Sequence, residues 1–135
     1  MMLVYADTSA LVKLVLDEPE SEHLVEWFNE TGAQAATSWL TLVELRRAIA
    51  RSAPWRAPDV ADVLNACQTI VLDRETLEVA ARLQPATLRT LDAVHLAAAL
   101  TLGPDLAGML VYDARLAHAA REAGIRPFAP GAQTG

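Results

Sequence analysis

The first apolar run of this chain ends in a carboxylate, and a helical pattern follows at once. Residues 3–6 form a short apolar stretch, which is typical of a parallel strand covered on both faces. Asp7 ends the stretch, and Thr8 or Ser9 can cap the helix that begins there. Ligands of open parallel sheets bind outside the carboxyl ends of the strands. Asp7 therefore stands where a functional site is expected, although a plain polar turn residue explains it equally well.

The same alternation of strand and helix continues along the chain. Further short strands are predicted at 33–38, 69–72, 109–112 and 125–128. Helical patterns fill the intervals and give the order β-α-α-β-α-α-β-α-α-β-α-β. This order predicts an α/β fold, a three-layer α/β/α sandwich whose central, mainly parallel sheet has about five short strands. We expect one domain over residues 1–130 and a frayed tail over 131–135.

The negative charge of the chain is concentrated in one stretch. The formal net charge is −6, and the acids between Asp17 and Glu30 have no Lys or Arg among them. We interpret this stretch as the solvated face of a helix that starts near Pro19 and ends at Gly32, a face that repels phosphates. No apolar run approaches the roughly 20 residues of a membrane helix. Because Cys67 is the only cysteine and no secretory signal is visible, we expect a cytoplasmic protein that does not enter a membrane.

The segment after Glu44 is the most basic one of this acidic protein. It carries Arg46, Arg47 and Arg51, of which the last two share a helix face with Glu44. The arginines are either a nucleic-acid contact or a solvated helix end. Trp55 is expected to fold back on the core. Glu44 is either a carboxylate that faces a groove or the partner of Arg47 in a surface ion pair.

Two further carboxylates lie at positions where a site is expected. Asp92 lies in the first turn of a helix that is apolar on every side, with Thr90 as its predicted cap. A buried carboxylate there needs a partner or a metal ion. His95, one turn on, is interpreted as a hydrogen-bonded core residue rather than a ligand. Asp113 ends the fourth strand as Asp7 ends the first, and a helix-capping role explains it equally well.

These four acids lie at turns that a parallel sheet can gather at one edge. Asp7 and Asp113 follow strands, whereas Glu44 and Asp92 lie near the starts of helices. Acids without matching bases repel one another, so such a cluster is stable mainly when it is protonated or binds a hard cation. Oxygen ligands without cysteine or paired histidines favour Mg²⁺ or Mn²⁺ over zinc. The cluster therefore predicts metal-assisted chemistry on a phosphodiester.

Four segments of the chain resemble the acidic motifs of PIN-domain ribonucleases, in particular of VapC-type toxins from bacterial toxin–antitoxin pairs. The segments are DTSALVKL at 7–14, SWLTLVEL at 38–45, LDAVHLAAA at 91–99 and YDARLA at 112–117. The resemblance implies a PIN-like fold and a Mg²⁺- or Mn²⁺-dependent endoribonuclease that inhibits translation or growth. It implies catalytic and metal-binding roles for Asp7, Glu44, Asp92 and Asp113. Hydrolysis through a metal is expected to leave 5′-phosphate and 3′-hydroxyl ends.

The resemblance also implies partners, namely an RNA substrate, a second copy of the chain in a homodimer, and a cognate antitoxin that occupies the active-site groove. Two further sets of residues are expected near the acids, the RNA-binding arginines Arg46, Arg47 and Arg51 and the supporting hydroxyls Thr8 and Ser9. Val111 departs from the motif, because many members have a hydroxyl residue two positions before the fourth acid. This departure predicts a weak or indirect contact between Asp113 and the metal.

Other functional classes fit the sequence less well. A catalytically silent PIN-like module that binds RNA or protein has no need to retain all four acids. A magnesium-dependent phosphatase of the haloacid-dehalogenase type needs a second aspartate two residues after the first, where this chain has Ser9. A receiver-like domain needs a lysine late in the chain, where the only lysine is Lys13.

Overall fold

The computed structural model describes residues 2–132, and five parallel strands form its central sheet. The strands are β1 (Leu3–Ala6), β2 (Gln34–Ser38), β3 (Gln68–Ile70), β4 (Leu106–Leu110) and β5 (Pro127–Phe128). They pair in the order β3-β2-β1-β4-β5, and every neighbouring pair is parallel. The predicted α/β fold with a parallel sheet is confirmed.

Seven α-helices of the described residues, 2–132, occupy the predicted positions. They are α1 (Thr8–Val15), α2 (Ser21–Thr31), α3 (Trp39–Ser52), α4 (Ala57–Asn65), α5 (Arg74–Arg82), α6 (Thr90–Leu100) and α7 (Ala114–Glu122). Gly32 ends α2 in the left-handed region at φ 64°, a conformation that glycine adopts without a steric penalty. No helix within residues 2–132 combines the length and the apolar character needed to cross a membrane.

The alternation of side chains along the strands divides the core into two halves. Val4 and Ala6 of β1 pack against α1 to α4, whereas Tyr5 faces α6 and α7. Leu110 of β4 lies on the first side and Met109 on the second. Helix α5 packs against the outside of α6. The result is the predicted three-layer arrangement, in which both faces of the sheet are buried.

Strand β4 begins three residues before the predicted start, at Leu106. A bulge interrupts its register with β1 where Leu3 pairs with Leu106 and Val4 with Gly108. A side chain at Gly108 would collide with the backbone carbonyl of Arg126 and the ring of Phe128. Glycine is uncommon inside strands, so the apolar pattern marked only the later part of β4.

The predicted tail over 131–135 lies partly outside the described residues, which end at Ala132. Residues 129–132 form a turn in which the N–H of Ala132 donates to the carbonyl of Ala129 at 3.0 Å. The hydroxyl of Tyr112 donates to the carbonyl of Pro130 at 2.8 Å. These bonds hold the described end of the chain beside the loop that follows β4.

The strand order creates a switch point between β1 and β4. From β1 the chain adds β2 and β3 on one side of the sheet, and then crosses to β4 and β5 on the other. The loops that leave β1 and β4 therefore run to opposite faces of the sheet and open a crevice between them, which is the usual ligand position in open parallel sheets.

Candidate active site

All four predicted acids meet in one cleft at this switch point. The cleft has a volume of about 370 Å³. Asp7 follows β1, Asp113 lies in the connection after β4, Glu44 projects from α3, and Asp92 lies in the first turn of α6. The remaining residues of its wall are Thr8, Ser9, Arg89, Thr90, Leu91, His95 and Leu116. The fold thus brings together carboxylates from four separate parts of the sequence.

Asp7 is the most buried of the four acids, with 3% of its surface exposed. Its Oδ1 accepts hydrogen bonds from the backbone N–H of Ala10 at 3.0 Å and from Ser9 Oγ at 2.7 Å. Asp7 therefore caps α1 itself, and the prediction of Thr8 or Ser9 as the cap was wrong. Burial, with a smaller contribution from the nearby charge of Asp113, raises the pKa of Asp7 to about 6 against the opposing effect of these hydrogen bonds.

Ser9 joins the end of β1 to the loop after β4. Its hydroxyl donates to Asp7 and accepts from the backbone N–H of Tyr112 at 2.9 Å and of Asp113 at 3.4 Å. The two contacts connect residues more than a hundred positions apart. Ser9 thereby fixes the position of Asp113 relative to Asp7.

Asp113 is exposed and also caps a helix, because its Oδ1 accepts from the backbone N–H of Leu116 at 2.9 Å. The capping role offered by the sequence is therefore confirmed, and the same residue also lines the cleft. Val111, which replaces a hydroxyl residue of the motif, is buried in the core beneath α6 and α7. The support for Asp113 comes from Ser9 and from the start of α7 instead.

Glu44 faces the cleft and is held by two donors at one oxygen. Its Oε1 accepts from Thr8 Oγ1 at 2.7 Å and contacts His95 Nε2 at 2.9 Å. Burial acts to raise the pKa of Glu44, but the bonds from His95 and Thr8 outweigh it and keep the pKa below the usual range. No ion pair links Glu44 to Arg47 among the residues that the structure describes, so the alternative of a surface pair does not hold.

His95 continues this contact into a buried hydrogen-bonded chain. Its Nδ1 lies 2.8 Å from the hydroxyl of Tyr5, which in turn lies 2.9 Å from Ser38 Oγ. Because a carboxylate only accepts, His95 donates from Nε2 to Glu44, and its Nδ1 forms the second hydrogen bond with the hydroxyl of Tyr5. Burial raises the pKa of Tyr5, so its hydroxyl keeps the proton that it donates.

The sequence predicted a hydrogen-bonded core histidine at position 95, and that prediction is confirmed. It did not predict that His95 also lines the cleft and orients Glu44. The available signal was the i, i+3 spacing from Asp92, which places both side chains on one face of α6.

Asp92 is only partly buried, whereas the apolar pattern of α6 predicted a buried carboxylate. Among residues 2–132, no donor forms a hydrogen bond with its carboxylate. Burial raises its pKa, and the charge of Asp113 adds to this shift. Thr90 is the first residue of α6, but its side chain makes no capping hydrogen bond. The predicted capping role of Thr90 was therefore wrong.

The arginines predicted to bind RNA lie outside the cleft. Arg46, Arg47 and Arg51 are exposed on α3, and none of them lines the wall of the cleft. The arginine at the acids is Arg89, immediately before α6, which sequence reasoning did not single out. A contact between Arg89 and a cleft built from distant segments leaves no local pattern in the sequence.

Trp55 does not fold back on the core as predicted. It lies in a short 3₁₀ helix at Pro54–Arg56, and 74% of its surface is exposed. The neighbouring Ala53 fills the core position of this turn, with 4% exposed. Ala53 is thus the buried residue at this point of the chain, and the indole remains at the surface.

The acids suit a hard divalent cation in donor type and in charge. Asp7, Glu44 and Asp113 each use one carboxylate oxygen for hydrogen bonds within the described residues, which leaves the second oxygen without a protein donor. Within residues 2–132, no three acidic or imidazole groups already enclose an ion position. Mg²⁺ is commonly bound by one or two carboxylates and retains several waters, so an open set of oxygen ligands fits it.

Three comparisons with known proteins identify the family and the fold of the chain. A family model described as PIN domain matches residues 4–125. Ribonuclease VapC47 and Ribonuclease VapC35 of Mycobacterium tuberculosis strain CDC 1551 are each 40% identical to the chain, over 134 and 132 residues. Both alignments cover 96% of this chain and 98% of the relative.

A solved structure shares the fold at low sequence identity. The crystal structure of Mycobacterium tuberculosis VapC20, described as a sarcin–ricin loop cleaving toxin, superposes with a TM-score of 0.72 at 16% identity. The superposition covers 90% of this chain and 95% of that one. The family match includes residues from both halves of the core and all four acids. The chain therefore belongs to the PIN domain family, among the VapC ribonucleases.

Proposed function

We propose that this protein is the toxin of a toxin–antitoxin pair and cleaves RNA as a Mg²⁺- or Mn²⁺-dependent endoribonuclease. The observation that carries the proposal is the convergence of Asp7, Glu44, Asp92 and Asp113 in one cleft. The names of relatives that match along 96% of the chain support an RNA substrate. Inhibition of translation or growth is the expected consequence of RNA cleavage in the cell.

The four acids would hold the cation directly or through water. When bound there, a divalent cation supplies an activated water and neutralises charge during in-line displacement at phosphorus. Thr8 and His95 fix Oε1 of Glu44. Ser9 and Ala10 do the same for Oδ1 of Asp7.

The substrate is cut between phosphorus and the 3′ oxygen. Water adds to phosphorus, the 3′ oxygen departs with a proton, and the products carry 5′-phosphate and 3′-hydroxyl ends. The repulsion between Asp7, Asp92 and Asp113, which contributes to raising the pKa of the first two, is relieved when positive charge enters the cleft.

Two protein partners belong to the proposal. A cognate antitoxin would inhibit the enzyme by placing a basic side chain among the acids, since the cleft has an excess of negative charge. A second copy of the chain would form a homodimer, as the family resemblance implies.

Arg46, Arg47 and Arg51 would contact RNA phosphates away from the cut, because they lie outside the wall of the cleft.

The test is cleavage of defined RNAs by the purified protein in Mg²⁺ or Mn²⁺ and in EDTA. The substrates should include transfer RNA, messenger RNA and a hairpin that copies the sarcin–ricin loop. We expect cleavage only with metal, 5′-phosphate products, and no cleavage by Asp92→Asn, which removes one charge at nearly constant volume. Undiminished activity in EDTA or products with 2′,3′-cyclic phosphate would exclude the metal mechanism.

A further inference from the structure

A second groove opens beside the acid cleft, along α7. It has a volume of about 440 Å³, and its walls include Leu88, Arg89, Arg115, His118 and Glu122. Arg89 lines both cavities, so the groove and the acid cleft adjoin at this side chain. We call this second cavity the α7 groove.

Basic side chains follow one face of α7 away from the acids. Arg115 lies two residues after Asp113, and His118 lies one helical turn further on the same face. Arg89 and Arg115 are exposed, and neither forms an ion pair within residues 2–132. Their guanidinium groups therefore keep donors that match phosphate oxygens in geometry and charge.

The position of the groove in the fold also suits a polyanion. Helix α7 packs on the opposite face of the sheet from α2, which carries much of the acidic stretch. A nucleic-acid strand that runs from the acids along α7 therefore avoids the protein face that repels phosphates. Glu122, two turns after Arg115, places a negative charge in the groove wall and limits the basic part of the path to the end near the acids.

We propose that the α7 groove binds the phosphates of the RNA strand on one side of the nucleotide that is cut at the acids. The inference rests on the proposed ribonuclease function and adds the path that its substrate follows. A strand held at the acids passes Arg89 and reaches Arg115 along a continuous wall. The arginines of α3 line no part of that wall.

The test compares two arginines of the same helix. Arg115→Gln removes a charge from the groove, and Arg121→Gln removes the same charge from an exposed position of α7 that lines neither cavity. Affinity for a fluorescein-labelled oligouridine strand is measured in EDTA across a series of NaCl concentrations. Arg89 is left intact because it also lines the acid cleft.

We expect Arg115→Gln to weaken RNA binding and to reduce the slope of log affinity against log salt by ~0.7 for one lost phosphate contact. Arg121→Gln should leave both quantities at the wild-type value. Arg115 is exposed, so equal melting temperatures of the variants and the wild type should confirm that the fold is kept.

Equal effects of the two variants, or an effect of neither, would overturn the proposal. It would also fail if Arg115→Gln weakened binding of a polyglutamate peptide and left RNA binding unchanged, because the groove would then fit an acidic protein segment. The binding assay needs no cleavage. A wild type that cuts no RNA with Mg²⁺ or Mn²⁺ would therefore contradict the ribonuclease function, while the comparison of Arg115 with Arg121 would still decide the path.

Discussion

Replacing the carboxylate of Asp7 by an amide should remove a pH-dependent penalty from the metal-free protein. Burial raises the pKa of Asp7 from the ordinary 3.8 to about 6 in the folded state. The folded protein therefore keeps this proton to a higher pH than the unfolded chain does. Relative to its stability at neutral pH, the folded wild type is therefore stabilised by the full amount below about pH 4. This stabilisation is lost as the pH rises through about 6.

The size of this effect follows from the interval between the two pKa values. A shift from 3.8 to about 6 corresponds to ~3 kcal/mol in the free energy of unfolding. Asp7→Asn keeps the cap of α1, because an amide oxygen can accept the same bonds from Ser9 and Ala10. Relative to the wild type, the variant should gain ~3 kcal/mol of stability between about pH 4 and about pH 7.

The measurement is urea-induced unfolding in EDTA at several pH values, with the slope of each transition checked for two-state behaviour. Asp73→Asn is the matched control. Asp73 also caps a helix, but it is exposed, and its bonds from the backbone and the hydroxyl of Thr76 lower its pKa. The contribution of the Asp73 carboxylate to the free energy of unfolding is present at neutral pH and is lost as the pH falls through the lowered pKa. The dependence of stability on pH is therefore opposite to that expected from Asp7.

Two results would refute this reasoning about Asp7. One is a difference between wild type and Asp7→Asn that stays constant with pH, and the other is a variant that is less stable than the wild type at neutral pH in EDTA. Mg²⁺ provides a further check. At 10–100 times its dissociation constant it should stabilise the wild type by about 1.4–2.7 kcal/mol and the variant much less.

Two further predictions concern the support of the cleft and its surroundings. Tyr5→Phe should cost about 1–3 kcal/mol, because His95 and Ser38 each lose a buried partner, and it should reduce stabilisation by Mg²⁺ in thermal melts. Tyr112→Phe, which removes a hydroxyl bonded to Pro130, is the control that should leave the Mg²⁺ response unchanged. The double variant Arg47→Ala and Arg51→Ala should weaken RNA binding and flatten its dependence on salt, and an unchanged salt slope would return both residues to the role of a solvated helix end.

The parts of the fold that could be predicted are those with local signals. The apolar run before Asp7 predicted the bounds of β1 correctly. Because parallel strands present their carboxyl ends at one edge, the order of elements was sufficient to predict that Asp7 and Asp113 share a cleft. The bulge and the glycine in β4 broke the apolar pattern, and the start of that strand was missed for this reason.

The parts that could not be predicted depend on contacts between distant segments. His95 lies 90 positions from Tyr5 and 51 from Glu44, so no window of the sequence contains the hydrogen-bonded chain that they form. Arg89 likewise belongs to the site only because the loop before α6 returns to the end of β1. Local patterns therefore identified the four acids and the supporting hydroxyls of Thr8 and Ser9, whereas the contact of His95 with Glu44 and the position of Arg89 required the structure.

The four acids differ in how firmly the protein holds them, and this difference assigns them different tasks. Asp7, Glu44 and Asp113 are each fixed at one oxygen by donors from the chain, so their geometry exists before any ligand arrives. Asp92 has no such donor within residues 2–132, and burial and Asp113 both raise its pKa. A carboxylate that no donor holds takes its final position from whatever positive charge enters the cleft. We therefore expect the side chain of Asp92 to be the one that moves on binding, while the other three form a preset frame.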